Sequence, residues 1–383
     1  MSLKKFSIGN LVAPTPIRAN PRSSTGSNLV FGADGIEFRQ GAYTPAFTWG
    51  GTTSSYILGG APYPQRGTVQ KFSLSSDASA SDVTEMAVER TQDAGGLKNL
   101  GVAGYTVGGS PNLDDIQKMP FSSETVSTIG LAYSEPPTPI SAFYGGYTVS
   151  SPTNGYYFAG YNNPNSPPAR RHNAMKISFA SDGNATSIKP TAPAIQANQG
   201  LNWSEQAKGY FALGGNPYAT NGSHILNHYE FTYSSETYTQ IPALAPTVVP
   251  TFGSGLSSAG CVQSPTYAYS LGGNNSNGQI WPSPGAYLNG GTSLNYSCDI
   301  IAKFPFASLN TWSDIAELSG SRRNVSGSSS TTHGYSSGGF ITNPSPYAER
   351  DIIEKFPFAS DSPGVDSAEL TTTSSSNAVS AEV

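Results

Sequence analysis

The chain has 383 residues and a formal net charge of -5, and only 12% of its residues are charged, about half the usual share for a soluble domain. That balance gives no basic footprint for nucleic acid, and no apolar run approaches the ~18 residues a membrane span needs. Lys4 and Lys5 have no apolar stretch behind them, so no Sec-type signal peptide is expected.

Residues 1–35 stand apart. Pro14, Pro16, Arg18 and Arg22 lie in a stretch without alternation, which predicts an extended arm that does not fold alone. Two readings of this arm stay open, a disordered tail or a segment that orders by docking on a neighbouring subunit with these four residues as its anchor. The body is expected over 36–372, with a polar tail or closing strand after it over 373–383. Ala42 to Trp49 is read as the innermost strand of the first repeat, and Asn28 to Ala46 as the place where an extra, degenerate repeat would lie.

From there a glycine doublet recurs behind an aromatic or apolar strand. It reads Tyr56-Ile-Leu-Gly-Gly60, Tyr105-Thr-Val-Gly-Gly109, Tyr157-Phe-Ala-Gly160, Phe211-Ala-Leu-Gly-Gly215, Tyr269-Ser-Leu-Gly-Gly273 and Tyr335-Ser-Ser-Gly-Gly339. Ala159 breaks the third copy. The doublets end 49, 51, 55, 58 and 66 residues apart, a loose period in a fixed order. After each comes a polar loop and an alternating strand, clearest in Ile301-Ala-Lys-Phe-Pro-Phe-Ala-Ser308 and Ile353-Glu-Lys-Phe-Pro-Phe-Ala-Ser360. A period of two puts Phe304, Phe306, Phe356 and Phe358 on one face and Lys303, Pro305, Lys355 and Pro357 on the other. The phenyl rings are expected between neighbouring repeats, each contributing roughly 1.5–3 kcal/mol of burial. Asp366 to Leu370 completes the sixth copy. Four short strands per repeat and six repeats predict an all-β, six-bladed propeller.

Cys261 and Cys298 both fall in the fifth repeat and are expected to be reduced, packed thiols. Two loops attract attention as binding candidates. One runs from Asn274 to Asp299 and carries Trp281, Tyr287 and Tyr296; the other, from Tyr161 to Pro168, includes Asn162. Aromatic side chains among Asn, Gly and Ser suit a sugar or a protein partner, and a self-packed surface loop is the plainer reading.

The order of Leu, Arg, Ser-rich strand, Gly-Tyr-x-x-Gly-Gly and aromatic strand, best seen from Arg322 to Ser360, resembles kelch repeats. More closely, it is similar to the divergent kelch-like repeats of tailed-bacteriophage virion proteins, cyanophages among them. The usual kelch Trp is missing except as Trp312. The resemblance implies a structural role in the particle, as a neck, tail, fibre or surface-attached subunit in several copies, made in the host cytoplasm and held in the virion by other virion proteins. A host receptor- or glycan-binding adhesin is the alternative, and a glycan-active enzyme the lesser one. The resemblance supplies no catalytic, metal or cofactor residue.

The residues themselves carry no complete enzymatic motif. Ala180-Ser-Asp-Gly-Asn-Ala-Thr186 has the wrong spacing for an Asp-box and no Trp. His224 and His228 lie four apart, which suits a metal only on a helix; with Gly222 before and an alternating strand after, they are expected to be loop or surface histidines. Asp114, Asp115, Asp182 and Glu205 are carboxylates that a glycosidase would have to bring together in a pair. No catalytic residue, metal or cofactor is expected.

Overall fold

A computed structural model of the chain describes residues 27–32, 35–40, 49–60, 66–90, 95–109, 113–132, 146–158, 174–188, 200–212, 228–241, 259–275, 296–308, 311–341, 348–374 and 379–383. The chain divides into two compact units, Met1–Phe47 and Thr48–Val383.

In the first unit Ser27–Gly32 pairs antiparallel with Gly35–Gln40, Leu29 opposite Phe38 and Phe31 opposite Ile36. This corrects the expected boundary of an unfolded arm at residue 35. The β-formers on both sides of the turn are enough to make a ladder. Pro14, Pro16, Arg18 and Arg22 lie outside the described residues.

The second unit is a six-bladed antiparallel β-propeller. Blade 1 is Val379–Glu382, Ser54–Gly60, Arg66–Ser73 and Ser81–Glu85, from the axis outward. Blade 2 is Gly95–Asn99, Ala103–Gly109, Leu113–Pro120 and Ser127–Leu131; blade 3 is Tyr147–Ser150, Asn154–Phe158, Ala174–Ser178 and Thr186–Ile188. Blade 4 is Leu201–Ser204, Lys208–Ala212, His228–Thr232 and Thr237–Ile241. Blade 5 is Gly260–Gln263, Tyr267–Leu271, Tyr296–Pro305 and Ser313–Arg322, with Asn274–Asn275 added to its third strand. Blade 6 is Ser326–Ser329, His333–Ser337, Ala348–Pro357 and Val365–Ser374, with Phe340–Ile341 added likewise.

One expectation is corrected here and one alternative is decided. The innermost strand of blade 1 is not Ala42 to Trp49; of the two readings of 373–383, a polar tail or a closing strand, the closing strand holds. Val379–Glu382 pairs antiparallel with Ser54–Gly60 and closes the ring from the other end of the chain. Among the described residues of Asn28 to Ala46, 28–32 and 35–40 belong to a two-stranded sheet of the other unit and add no seventh blade. Asp366 to Leu370 does complete blade 6.

Apolar packing lies between blades, as the alternation requires. The second-strand tyrosine of each blade stacks on the aromatic ring that follows the third strand of the next: Tyr56 on Phe121 at 5.2 Å, Tyr105 on Phe179 at 5.0 Å, Tyr156 on Tyr233 at 5.3 Å, Tyr210 on Phe306 at 5.2 Å and Tyr269 on Phe358 at 5.0 Å. At the sixth seam Leu74 replaces the ring, and Tyr335 donates its hydroxyl to the Leu74 carbonyl at 3.0 Å. Such stacks add about 0.5–1.5 kcal/mol beyond their burial.

In blades 1, 2, 5 and 6 the doublets, all at positive φ, turn the chain sharply out of the second strand. Gly338 and Gly339 have φ of 64° and 102°, and a Cβ on Gly338 would sit 2.4 Å from the Ser374 carbonyl oxygen, so no side chain fits. A second set of glycines has a different cause. A Cβ on Gly209 would come 2.5 Å from Val149 Cγ2, and one on Gly155 2.5 Å from Leu97 Cδ1. These glycines, in second strands, are sockets for the inner-strand side chains of the preceding blade. Gly209→Ala is expected to lower stability by about 1–3 kcal/mol through overpacking, and Val149→Ala in the same chain should recover part of it. Urea unfolding of the three variants checks this.

Candidate functional site

Each blade's strands alternate in direction, so the propeller has two chemically different ends. At one end lie three-residue turns between first and second strands, at 100–102, 151–153, 205–207, 264–266 and 330–332, together with the third-to-fourth strand turns. At the other end, where the doublets are, lie the remaining connections.

The turn end is closed around the axis by a belt. The last residues of the inner strands join blade to blade: Lys98 N–H to Ser150 Oγ at 3.0 Å, Ser150 N–H to Ser204 Oγ at 2.9 Å, Ser204 N–H to Gln263 Oε1 at 3.0 Å, Gln263 N–H to Ser329 Oγ at 2.9 Å and Ser329 N–H to Glu382 Oε1 at 2.8 Å. Lys98 Nζ then donates to Glu382 Oε2 at 2.8 Å and completes the circle. Inner-strand amides, left open on the axis side of each sheet, thus find acceptors in the next blade, as buried donors must.

Further from the axis an ion pair crosses five of the six seams. Lys71 bonds Glu124, Lys118 bonds Asp182, Lys176 bonds Glu236 and Lys303 bonds Asp361, each at 2.6 Å, and Lys355 pairs with Asp77. Each lysine belongs to a third strand, and each acid follows the third strand of the next blade. Glu124, Asp182, Glu236 and Asp361 hold positive φ, between 50° and 52°. The blade 4 equivalent of the lysine is Glu230, which bonds Lys208 of its own blade at 2.9 Å. Partly exposed pairs of this kind contribute about 0.2–1 kcal/mol each. The Lys71 pair holds Glu124 below the ordinary carboxylate range, chiefly through the Lys71 hydrogen bond.

Nearer the doublet end, two buried arginines clamp neighbouring blades. Arg90 donates to the Gly108 carbonyl at 2.6 Å and to both carboxylate oxygens of Asp115 at 2.9 and 2.8 Å. Arg322 donates to the Gly338 carbonyl and to Ser336 Oγ, both at 2.7 Å, and pairs with Glu354. Burial, with Arg350 nearby, pushes the Arg322 guanidinium down to about 10, which leaves it charged at neutral pH.

The sequence-predicted candidates separate under this geometry. Asp115 is held by Arg90, Asp182 by Lys118, and Glu205 accepts the Tyr210 hydroxyl at 2.7 Å. These carboxylates belong to three different blades, each with its own local partner, and are not gathered into a pair. The expectation of a loop or surface histidine fails for His228, which starts the third strand of blade 4 and is buried. Its ring lies on the face of that strand opposite Tyr229 and Phe231, 6.3 Å from the Phe304 ring of blade 5. His224 lies outside the described residues, as do Trp281, Tyr287, Tyr161 and Asn162; Tyr296 begins the third strand of blade 5. Cys261 and Cys298 are free thiols, as expected, and burial pushes both up to about 12, which suppresses thiolate chemistry. Among the described residues no group of three His, Cys, Asp or Glu is arranged to hold a metal ion.

Asp314, on the outer strand of blade 5, is displaced upward, to about 6, by burial and then by Glu317 and Asp299. It stands at the rim, away from the axis.

Sequence reasoning missed the belt, the ion-pair ring and the arginine clamps. One signal was available: an acid six residues after the lysine, as in Lys355 and Asp361, recurs with Lys71 and Asp77, Lys118 and Glu124, and Lys176 and Asp182.

No protein-family model matches the chain, and no curated protein matches its sequence. Among solved structures, that of YjhT is similar in fold, with a TM-score of 0.53 at 10% identity, over 77% of this chain and 97% of that one. This likeness carries the architecture alone, and with the blade topology it makes the chain a six-bladed β-propeller with a separate N-terminal unit.

Proposed function

We propose that the protein is a non-enzymatic scaffold subunit of a tailed-phage particle, binding neighbouring virion proteins through the doublet end. One observation carries the reading. The turn end is occupied by its own belt and ion pairs, whereas every long connection leaves from the doublet end. Three of these, 213–227, 242–258 and 276–295, contain no Asp, Glu, Lys or Arg. Long loops on a rigid scaffold are where recognition concentrates, and fold alone does not decide function. The kelch-like repeats of phage virion proteins supply the biological setting. A second reading, a host receptor- or glycan-binding adhesin, draws on the uncharged 276–295 loop with Trp281 and Tyr287.

Replacing 276–295 by a short Gly-Ser linker tests both. The expected result is unchanged thermal unfolding and loss of the chain from purified particles, read by mass spectrometry. Normal incorporation with reduced adsorption to host cells would favour the adhesin. Absence of the unaltered chain from particles would remove the virion reading altogether.

A further inference from the structure

We infer that the closing strand Val379–Glu382 and the segment 49–54 act as one latch, opening together. The inner strands of blades 2 to 6 run through a short turn directly into their own second strands. The closing strand has no such link to Ser54–Gly60 and is held there by hydrogen bonds. It also offers the core a small side chain. At the position where Leu97, Val149, Trp203 and Val262 fill the inter-blade core, it offers Ala381. A methyl in place of those side chains removes most of the hydrophobic contribution at that position.

Polar bonds replace it, and they run to the segment by which the chain comes into the propeller. The Val383 carbonyl accepts the N–H groups of Thr52, Thr53 and Ser54 at 2.9, 2.8 and 3.2 Å. Gly51 donates to the Ser329 carbonyl at 2.8 Å, beside the amide that Glu382 accepts. Lys98 Nζ touches both partners, Glu382 Oε2 at 2.8 Å and the Trp49 carbonyl at 3.2 Å, and lies over the Trp49 ring at 5.6 Å. The two segments press together without room for a side chain, since a Cβ on Gly51 would lie 2.6 Å from Glu382 Cβ. Trp49 is the second residue of the propeller unit, whose first is Thr48.

Hydrogen exchange of the full chain, read by mass spectrometry, tests this. Amides of 51–54 and 379–383 are expected to exchange at one common rate, faster than the inner strands 147–150, 201–204 and 260–263. A sub-global opening of this kind is the usual behaviour of a weakly held element. Lys98→Met should speed both segments by roughly ten- to hundredfold, the range for losing a hydrogen bond to a charged group, and leave blades 3 to 5 unchanged. Lys98→Arg should restore slow exchange. If the two segments exchange at unrelated rates, or if both exchange only as fast as the inner strands of blades 3 to 5, the inference is overturned. The wild-type measurement alone decides that point, whether or not Lys98→Met folds.

Discussion

Replacing Arg322 by Met is expected to lower the stability of the propeller by about 3–5 kcal/mol, the range for stripping one partner from a buried ion pair. Arg322 is 2% exposed and Glu354 1%. With the guanidinium gone, Glu354 keeps only the Ser319 N–H at 2.6 Å, and its charge remains in the interior. The Gly338 carbonyl and Ser336 hydroxyl lose their donor as well. The paired change Arg322→Met with Glu354→Met should recover most of the loss, because an apolar pair of similar volume needs no desolvated charge. Arg90→Met is expected to cost less, since Asp115 still receives the Gln117 amide at 2.9 Å. Urea unfolding followed by circular dichroism reads all four variants. A cost for Arg322→Met under about 1 kcal/mol, the level of an exposed pair, would show that this clamp is solvated.

The second large effect is expected at the seam between blades 4 and 5. This is the seam without a lysine–acid pair, and aromatic packing holds it instead. Trp203 is buried, packs against Phe304 with ring centroids 5.5 Å apart, and donates its indole N–H to the Tyr269 carbonyl at 3.0 Å. Trp203→Ala therefore opens a cavity and orphans a carbonyl, at about 3–5 kcal/mol. Trp203→Phe should be milder, because it loses the hydrogen bond and part of the volume but keeps the ring. The difference between the two variants in urea isolates the packing contribution. Equal losses would mean that the indole N–H, and not the ring, holds the seam.

The architecture was legible from the glycine doublets and the Lys-Phe-Pro-Phe strands, because both are local signals. Phe356 is buried against Tyr269 as alternation required, and Phe358 stacks on it. What the sequence hid was which segment lies beside which. Val379–Glu382 has four residues, one of them charged, and reads equally as a tail or as a closing strand. Only the vacant edge of Ser54–Gly60 makes it a strand. Glu382 likewise reads as a solvated carboxylate until Ser329 and Lys98 are seen on either side of it. Arg322 belongs to a visible Arg pair, yet its partner Glu354 sits 32 residues further on in the next blade, too far for any local pattern. The candidate loops were legible only as composition, since charge-free Asn, Gly, Ser and aromatic residues mark a surface without dictating a backbone.

The missing ion pair has a consequence for how this chain can vary. In the other blades the lysine reaches forward and the acid, six residues later, is met from behind, so each blade is an interchangeable part. Blade 4 carries Glu230 in place of the lysine, and the matching position in blade 5 is Leu309. Both halves of the contact are gone, and they are gone from different blades. Duplicating or exchanging blade 4 alone would set Glu230 against another blade's acid; moving blade 5 alone would give a preceding blade's lysine a neighbour whose sequence has Leu309 where the acid belongs. Recombination that respects these seams must carry blades 4 and 5 as a single block.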